Sequence, residues 1–439
     1  MGEFTKPQSE RDFERNFEPI KPAMNATEAY YESSRCLFCY DAPCISACPT
    51  EIDIPLFIRQ INSNNVPGAA KTIYESNIFG HACGKVCPTE VLCEGACVYN
   101  HQDVKPIEIG RLQSYATTQA IHQGLSVFSA APSNGKKVAV IGAGPAGISC
   151  AAHLRLHGVE VVVFEAKEKP SGLTVYGVAP YKLTNEEAMD EVAFLQKQLD
   201  FEIRYNHLIA TKEDLEFLEK DYDAIFLGIG LGATSDLNIE GEDLDHCIGA
   251  VEFVEQLRMR HHQMAVPEKV IILGGGNTAM DAASECARMG ASEVILAYRR
   301  TKDQMPAYWF EYELAKSVGV RSLFGVAPVE IVGNGKSKGI KFVKTTVAQG
   351  KVVPVEGSEF FEPCDWVVKA TGQSKAVEWL SMIEGLQLAK DGTITVGHTF
   401  QTTNPNYFAA GDAVSGGQEV VNAVADGRKA AMGIIEALR

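Results

Sequence analysis

Eight of the chain's twelve cysteines, Cys36, Cys39, Cys44, Cys48, Cys83, Cys87, Cys93 and Cys97, crowd into one N-terminal stretch. The first four make the spacing C-x2-C-x4-C-x3-C, with Pro49 directly after. The second four lie in HACGKVCPTEVLCEGACVYN, residues 81–100, which repeats the Cys-Pro pair at Cys87-Pro88. Ferredoxin-type iron–sulfur sites use close C-x2-C spacings and a Cys-Pro whose thiolate often serves a second cluster. Short loops let several thiolates converge on one cuboidal cluster. A proline after the ligand sets the turn and removes an N–H that would need a partner. Structural zinc takes four thiolates from two C-x2-C pairs; this stretch has one such pair and otherwise irregular spacings. Eight thiols predict two [4Fe–4S] clusters, and spacing leaves open which thiol serves which. Cys150, Cys247, Cys286 and Cys364 are scattered and read as small buried apolar residues.

A second chemistry is written in glycines. VAVIGAGPAGISC carries Gly142, Gly144 and Gly147 as G-x-G-x-x-G after an apolar strand. The first glycine makes the tight turn, the second admits a pyrophosphate, and the third lets helix pack on strand, with phosphate held at the helix N-terminus. A second strand, VEVVVFEAK (159–167), leads to Glu165, 23 residues beyond Gly142, where a carboxylate can take the adenosine ribose hydroxyls. Far downstream, Gly411 and Asp412 follow another apolar strand. VIILGGGNTAMD (270–281) repeats the pattern with Gly274, Gly276 and Ala279. By count the residue matching Glu165 is Ala297, so no acid waits for a 2′-hydroxyl, and Arg299 and Arg300 follow at once. Paired arginines suit a 2′-phosphate and favour NADPH over NADH. CDWVVKATGQ (364–373) adds a turn at Gly372 that fits the rim of this second site.

The elements that must hold these groups follow from periodicity. Residues 1 to about 125 read as helical: Ile54, Phe57, Ile58 and Ile61 share one helix face, Pro67 and Gly68 break the pattern, and a short helix follows through Ala70, Ile73 and Tyr74. A cysteine-rich helical segment of this size gains stability from its metal bonds. GLSVFSAAPSNGKK (124–137) reads as a linker. Beyond it, strands alternate with helices, the pattern of a parallel α/β sheet. The whole chain, 46% hydrophobic and 22% charged, has the composition of a globular protein. It has no unbroken apolar run of membrane-spanning length. MGEFTKPQSERDFERNF has no signal-peptide core, and Lys6 stands where a myristoylation motif wants Ser or Thr, so a cytoplasmic location is expected. A formal charge of −16 argues against nucleic acid and anionic membranes as partners.

Taken together, CLFCYDAPCISACP, GKVCPTEVLCEGAC, PIEIGRLQ, GAGPAGISC, GGGNTAMD and FAAGDAV resemble one family. They look like the electron-input portion of dihydropyrimidine dehydrogenase, in bacteria a separate NAD(P)H-oxidising subunit, and they are similar to the glutamate synthase small subunit. The resemblance implies an α/β two-dinucleotide flavoprotein fold behind an all-helical iron–sulfur domain. The expected limits are an iron–sulfur domain at 1–130, an FAD domain at 131–255 and 376–439, and an NAD(P)H domain at 256–375. It makes the first glycine site one for FAD, with contacts at Gly142, Gly144, Pro145, Ala146, Gly147, Glu165, Gly172, Leu173, Lys182, Leu208, Gly411 and Asp412. The nicotinamide contacts implied are Gly276, Asn277, Thr278, Ala279, Arg299, Arg300, Ala370, Thr371 and Gly372. One cluster would take Cys36, Cys39, Cys44 and Cys97; the other Cys48, Cys87, Cys93 and the unusual ligand Gln113, leaving Cys83 a bystander. Two departures stand out: Ser171 replaces a usual glycine, and Ala179-Pro180 an Ile-Pro.

The implied activity is hydride transfer from NAD(P)H to FAD, then single electrons through the clusters to a partner. No side-chain acid or base is expected to be essential. No stretch reads as an FMN barrel or pyrimidine site, so an FMN-containing catalytic subunit reducing uracil or thymine is the expected partner in a hetero-oligomer. Glutamate synthase is the alternative acceptor. A thioredoxin-reductase-type enzyme needs a C-x-x-C beside the flavin, where this chain has only Cys150 and Cys286 in its two glycine-loop units. A redox sensor or scaffold is the non-enzymatic alternative.

Overall fold

The computed structural model describes residues 4–439, which divide into two compact units. The larger comprises residues 19–175, 182–231 and 375–439; the smaller comprises 4–18, 176–181 and 232–374.

The larger unit begins with short helices. In helix Ile54–Asn62, Ile54, Phe57, Ile58 and Ile61 are all buried, and Asp53 caps the start by accepting the Leu56 N–H at 3.1 Å. Pro67 and Gly68 do not break a helix as the sequence suggests; they sit in the first turn of helix Val66–Ser76. First-turn N–H groups have no intrahelical partner, so proline is tolerated there, and Asn65 caps the same turn through the Gly68 N–H at 3.1 Å. The interruption falls earlier, after Asn62. Helices Gly80–Val86 and Ile109–Gln123 meet at two glycines. A Cβ on Gly84 would stand 2.9 Å from the Gly110 carbonyl oxygen, and one on Gly110 2.6 Å from that of Gly84. Only glycine permits this approach, which brings the residues of the two helices onto one recess.

The same unit carries a five-stranded parallel sheet in the order Tyr407–Ala409, Ala224–Leu227, Lys137–Ile141, Glu160–Phe164, Glu202–Arg204. Strand Lys137–Ile141 is central and buried after its first residue, as a continuous apolar run in a parallel sheet requires. Helices Pro145–Leu156 and Val420–Ala437 pack against each other.

The smaller unit has its own five-stranded parallel sheet, Cys247–Gly249, Trp366–Lys369, Lys269–Leu273, Glu293–Tyr298, Arg321–Phe324. An antiparallel sheet, unforeseen from the sequence, is built on the long strand Lys336–Ala348, flanked by Val326–Asn334, Lys351–Pro354 and Phe360–Pro363. Helix Glu10–Asn16 belongs to this unit: Asn16 Nδ2 donates to the Arg288 carbonyl at 2.7 Å, and Arg288 Nη1 donates back to the Asn16 carbonyl at 2.7 Å. Among the described residues, no helix is long and apolar enough to cross a membrane.

Candidate cofactor-binding sites

The N-terminal thiols line two recesses. Cys36, Cys39, Cys44 and Cys97 line the first, with Ile54, Ile58, Ile107 and Ile109 behind them. Cys44 rides on the short helix Pro43–Ser46, and Cys97 caps the 3-10 turn Val98–Gln102. The Tyr99 hydroxyl in that turn donates to the Arg35 carbonyl at 2.6 Å and ties the late cysteine to the early ones. Cys48, Cys83, Cys87 and Cys93 line the second recess, together with Asn77 and Gln113. Gln113 is buried, and its Nε2 donates to the Gly80 carbonyl at 2.6 Å. Its Oε1 accepts no hydrogen bond among the described residues, which leaves a hard oxygen donor on the recess wall.

The thiol environment fits a metal cluster. Burial and the neighbouring thiols push Cys44 up to about 12, and burial raises Cys36 and carries Cys93 well above the ordinary thiol range. Cys87 is raised by its hydrogen bond with Cys83 and by burial. A nucleophilic cysteine is held as thiolate by nearby positive charge; here the protein pushes the other way, and iron would supply the missing charge. Among the described residues, no three His, Cys, Asp or Glu side chains are placed to hold a single metal ion. Cluster ligands need not converge that way, because each binds its own iron. All twelve cysteines are unlinked, and Cys150 and Cys286 are buried with thiols raised by burial, so neither is an activated thiol.

In the larger unit, strand Lys137–Ile141 delivers the first glycine turn. Gly142 holds φ 99°, and a Cβ on Gly147 would lie 1.9 Å from the Gly142 carbonyl oxygen. A Cβ on Gly144 would meet nothing nearer than 3.9 Å. The middle position is thus open to a pyrophosphate while its neighbours are packed. Glu165 Oε2 accepts the Ala143 N–H and Oε1 the Lys167 N–H, each at 2.8 Å. The carboxylate braces the loop and keeps lone pairs for ribose hydroxyls. Gly172 lies against Gly144, Leu173 opens the short helix Leu173–Tyr176, and a Cβ on Gly411 would come 2.9 Å from that of Ala146, next to Pro145. Asp412 Oδ1 accepts the Gln418 N–H at 3.0 Å, and burial raises its carboxyl. Ser171 holds φ 80°, a cost glycine would avoid; its N–H donates to the Ala143 carbonyl at 2.7 Å. Lys182 is half-buried in the turn before helix Asn185–Leu199, and Leu208 is 65% exposed beside His207, whose N–H donates to the Glu165 carbonyl.

The second glycine turn follows strand Lys269–Leu273. Gly274 is pinned by the Ala370 carbonyl oxygen, 2.5 Å from where its Cβ would be, whereas a Cβ on Gly276 would meet nothing within 4 Å. Ala279 is buried in helix Asn277–Arg288, Thr278 is exposed, and Asn277 Oδ1 accepts the Tyr308 N–H at 2.9 Å. Thr371 Oγ1 donates to the Ser235 carbonyl at 2.8 Å, and Gly372 turns the chain at φ 99°. The Gly142 N–H donates to the Phe164 carbonyl at 2.8 Å, and the Gly274 N–H to the Ala297 carbonyl at 3.1 Å. Ala297 therefore matches Phe164. The counterpart of Glu165 is Tyr298, one residue beyond the count from sequence, because Leu273 pairs with Ala297 where Ile141 pairs with Phe164. The absence of an acid there stands. Tyr298 packs its ring on Gly275 and donates its hydroxyl to the Gln304 carbonyl at 2.9 Å. Arg299 is exposed, Arg300 Nη1 reaches the Tyr298 hydroxyl at 3.4 Å, and neither arginine forms an ion pair among the described residues.

Two family models match. Residues 13–125 match "dihydropyrimidine dehydrogenase domain II, 4Fe-4S cluster", and residues 136–427 match "pyridine nucleotide-disulphide oxidoreductase". The chain belongs to the pyridine nucleotide-disulphide oxidoreductase family. This oxidoreductase is 35% identical to the glutamate synthase [NADPH] small chain of Escherichia coli K12, over 95% of this chain and 93% of that one. It is 34% identical to the NAD-dependent dihydropyrimidine dehydrogenase subunit PreT of the same organism, over 94% and 95%. In fold it is similar to Mycobacterium tuberculosis FprA in complex with NADPH, at TM-score 0.58 and 20% identity over 70% of this chain and 85% of that one. The oxidoreductase is thus an NAD(P)H-dependent flavoprotein carrying a [4Fe–4S] domain on a two-dinucleotide fold.

Proposed function

We propose that the chain is the electron-input subunit of a dihydropyrimidine dehydrogenase, working in the cytoplasm beside an FMN-containing catalytic subunit that reduces uracil or thymine. When bound, FAD and two [4Fe–4S] clusters link a two-electron nicotinamide donor to a one-electron acceptor. The chain's own residues bind and orient. The Gly144 turn and the N-terminus of helix Pro145–Leu156 receive the FAD pyrophosphate, Glu165 the adenosine ribose and Asp412 the ribityl chain. The Gly276 turn receives the nicotinamide dinucleotide, and Arg299 and Arg300, free of carboxylate partners, favour the 2′-phosphate of NADPH.

The observation that carries the pyrimidine reading is Gln113. It is buried on the wall of the second recess with its carbonyl oxygen unengaged, beside Cys48, Cys87 and Cys93. An oxygen ligand from a P-I-x-I-G-x-L-Q run is what the resemblance to dihydropyrimidine dehydrogenase implies. The glutamate synthase reading is supported by the near-full-length similarity to that small chain. The two separate when the native protein is purified without oxygen and its partner identified. An FMN-bearing partner with uracil-dependent NAD(P)H oxidation supports the proposal. A large amidotransferase partner without uracil activity moves the chain to glutamate synthase. Failure to oxidise NAD(P)H with any artificial acceptor would leave only a sensor or scaffold.

A further inference from the structure

Asn77 ends helix Val66–Ser76 and is 0% exposed. Its Oδ1 accepts the Phe79 N–H at 2.9 Å, which fixes the amide and directs Nδ2 away from that contact. Nδ2 has no hydrogen-bond partner, and Asn77 lines the second recess with Cys48, Cys83, Cys87, Cys93 and Gln113. A buried donor left without an acceptor costs about 1–3 kcal/mol. No protein atom, cysteine sulfur included, takes this one, and Asn77 borders the space between the thiols, where a bound group can supply the acceptor.

We propose that Asn77 Nδ2 donates a hydrogen bond to an inorganic sulfide of the iron–sulfur cluster in the second recess and raises that cluster's reduction potential. The proposal rests on the two-cluster reading. A hydrogen bond to cluster sulfur stabilises the more negative, reduced state, so the cluster accepts an electron more readily. Asn77 would tune the cluster it bonds and so set where electrons rest on their way through the chain.

The test uses the holoprotein purified anaerobically. Iron and sulfide are counted first, then each cluster is titrated by EPR. Asn77→Leu removes the donor without adding charge. It should weaken reduction of one cluster about tenfold, which is 59 mV for one electron, and leave the other unmoved as an internal control. Unshifted potentials in a fully loaded Asn77→Leu protein would overturn the proposal. If that variant loses its cluster, Asn77→Asp keeps the acceptor for the Phe79 N–H and lacks the donor. The wild type should then show an exchangeable-proton coupling to the cluster spin, removed by deuterium oxide and missing from Asn77→Asp; the same couplings in both proteins count against it. Wild-type iron for one cluster only would instead remove the two-cluster reading, and the inference with it.

Discussion

Cys48 follows Cys44 by four residues, yet the two thiols line different recesses: Cys44 faces Cys97, and Cys48 faces Cys87 and Cys93. The turn after helix Pro43–Ser46 sends the chain from one to the other, with the Cys48 N–H donating to the Ile45 carbonyl at 3.0 Å. Cys48→Ala and Cys93→Ala should therefore abolish the same EPR signal, and Cys44→Ala and Cys97→Ala the other. Iron should fall from about eight to about four per chain in each. Loss of one shared signal in Cys44→Ala and Cys48→Ala would show that the recesses are not separate cluster sites.

Gln113 and Cys83 stand on the same recess wall. Cys83 stands beside Cys87, and Gln113 Oε1 accepts no hydrogen bond among the described residues. Gln113→Leu is expected to lose the second cluster or leave it with three irons, and Cys83→Ala to keep it intact. Gln113→Cys should retain a cluster that is harder to reduce, because a thiolate adds negative charge. The opposite pattern of iron contents would make Cys83 the ligand.

Arg299 and Arg300 bear on nicotinamide choice. A hydrogen bond to a charged group contributes about 1.5–3 kcal/mol, so Arg300→Ala or Arg299→Ala should raise KM for NADPH about 10- to 100-fold. KM for NADH should move little, since it lacks the phosphate. Equal changes for both nucleotides would put these arginines outside the discriminating contact.

His153 gives the fold a titratable weakness. It is buried on helix Pro145–Leu156, and burial, helped by Arg428 and His157, lowers its pKa to about 3. The unfolded chain takes up this proton near pH 6.5 and the folded chain does not, so stability is full above about 6.5 and falls as pH drops toward 3. By pH 5 the loss is about 2 kcal/mol. His153→Leu should show a correspondingly flatter decline in melting temperature between pH 7.5 and 5. An unchanged decline would mean that other groups carry it.

Much of the fold and some of the site were legible because local rules are written in residue type and spacing. The stripe Ile54, Phe57, Ile58 and Ile61 needed only the helical period, and it is buried as read. The two glycine turns needed only the backbone demands of a strand–turn–helix, which few residues besides glycine meet at Gly142, Gly147 and Gly274. The antiparallel sheet was not legible, because its strands pair across a bulged register that no short window displays.

By itself the sequence determined the thiol inventory, the two dinucleotide turns and the lack of an acid beside the second one. Spacing left the grouping of those thiols open and the family resemblance implied one; the tertiary structure lines two recesses with those same sets, Cys83 added to the second. It sends Cys48 away from its neighbours, brings Cys97 back to Cys36, and, where Gly84 meets Gly110, sets Gln113 on the same recess as Cys87. It also moved the counterpart of Glu165 to Tyr298 and exposed Asn77 as a donor without an acceptor. The physical reason is common to all of these: they depend on helices and strands distant in sequence packing at close range, and spacing along a chain carries no record of which surfaces will meet.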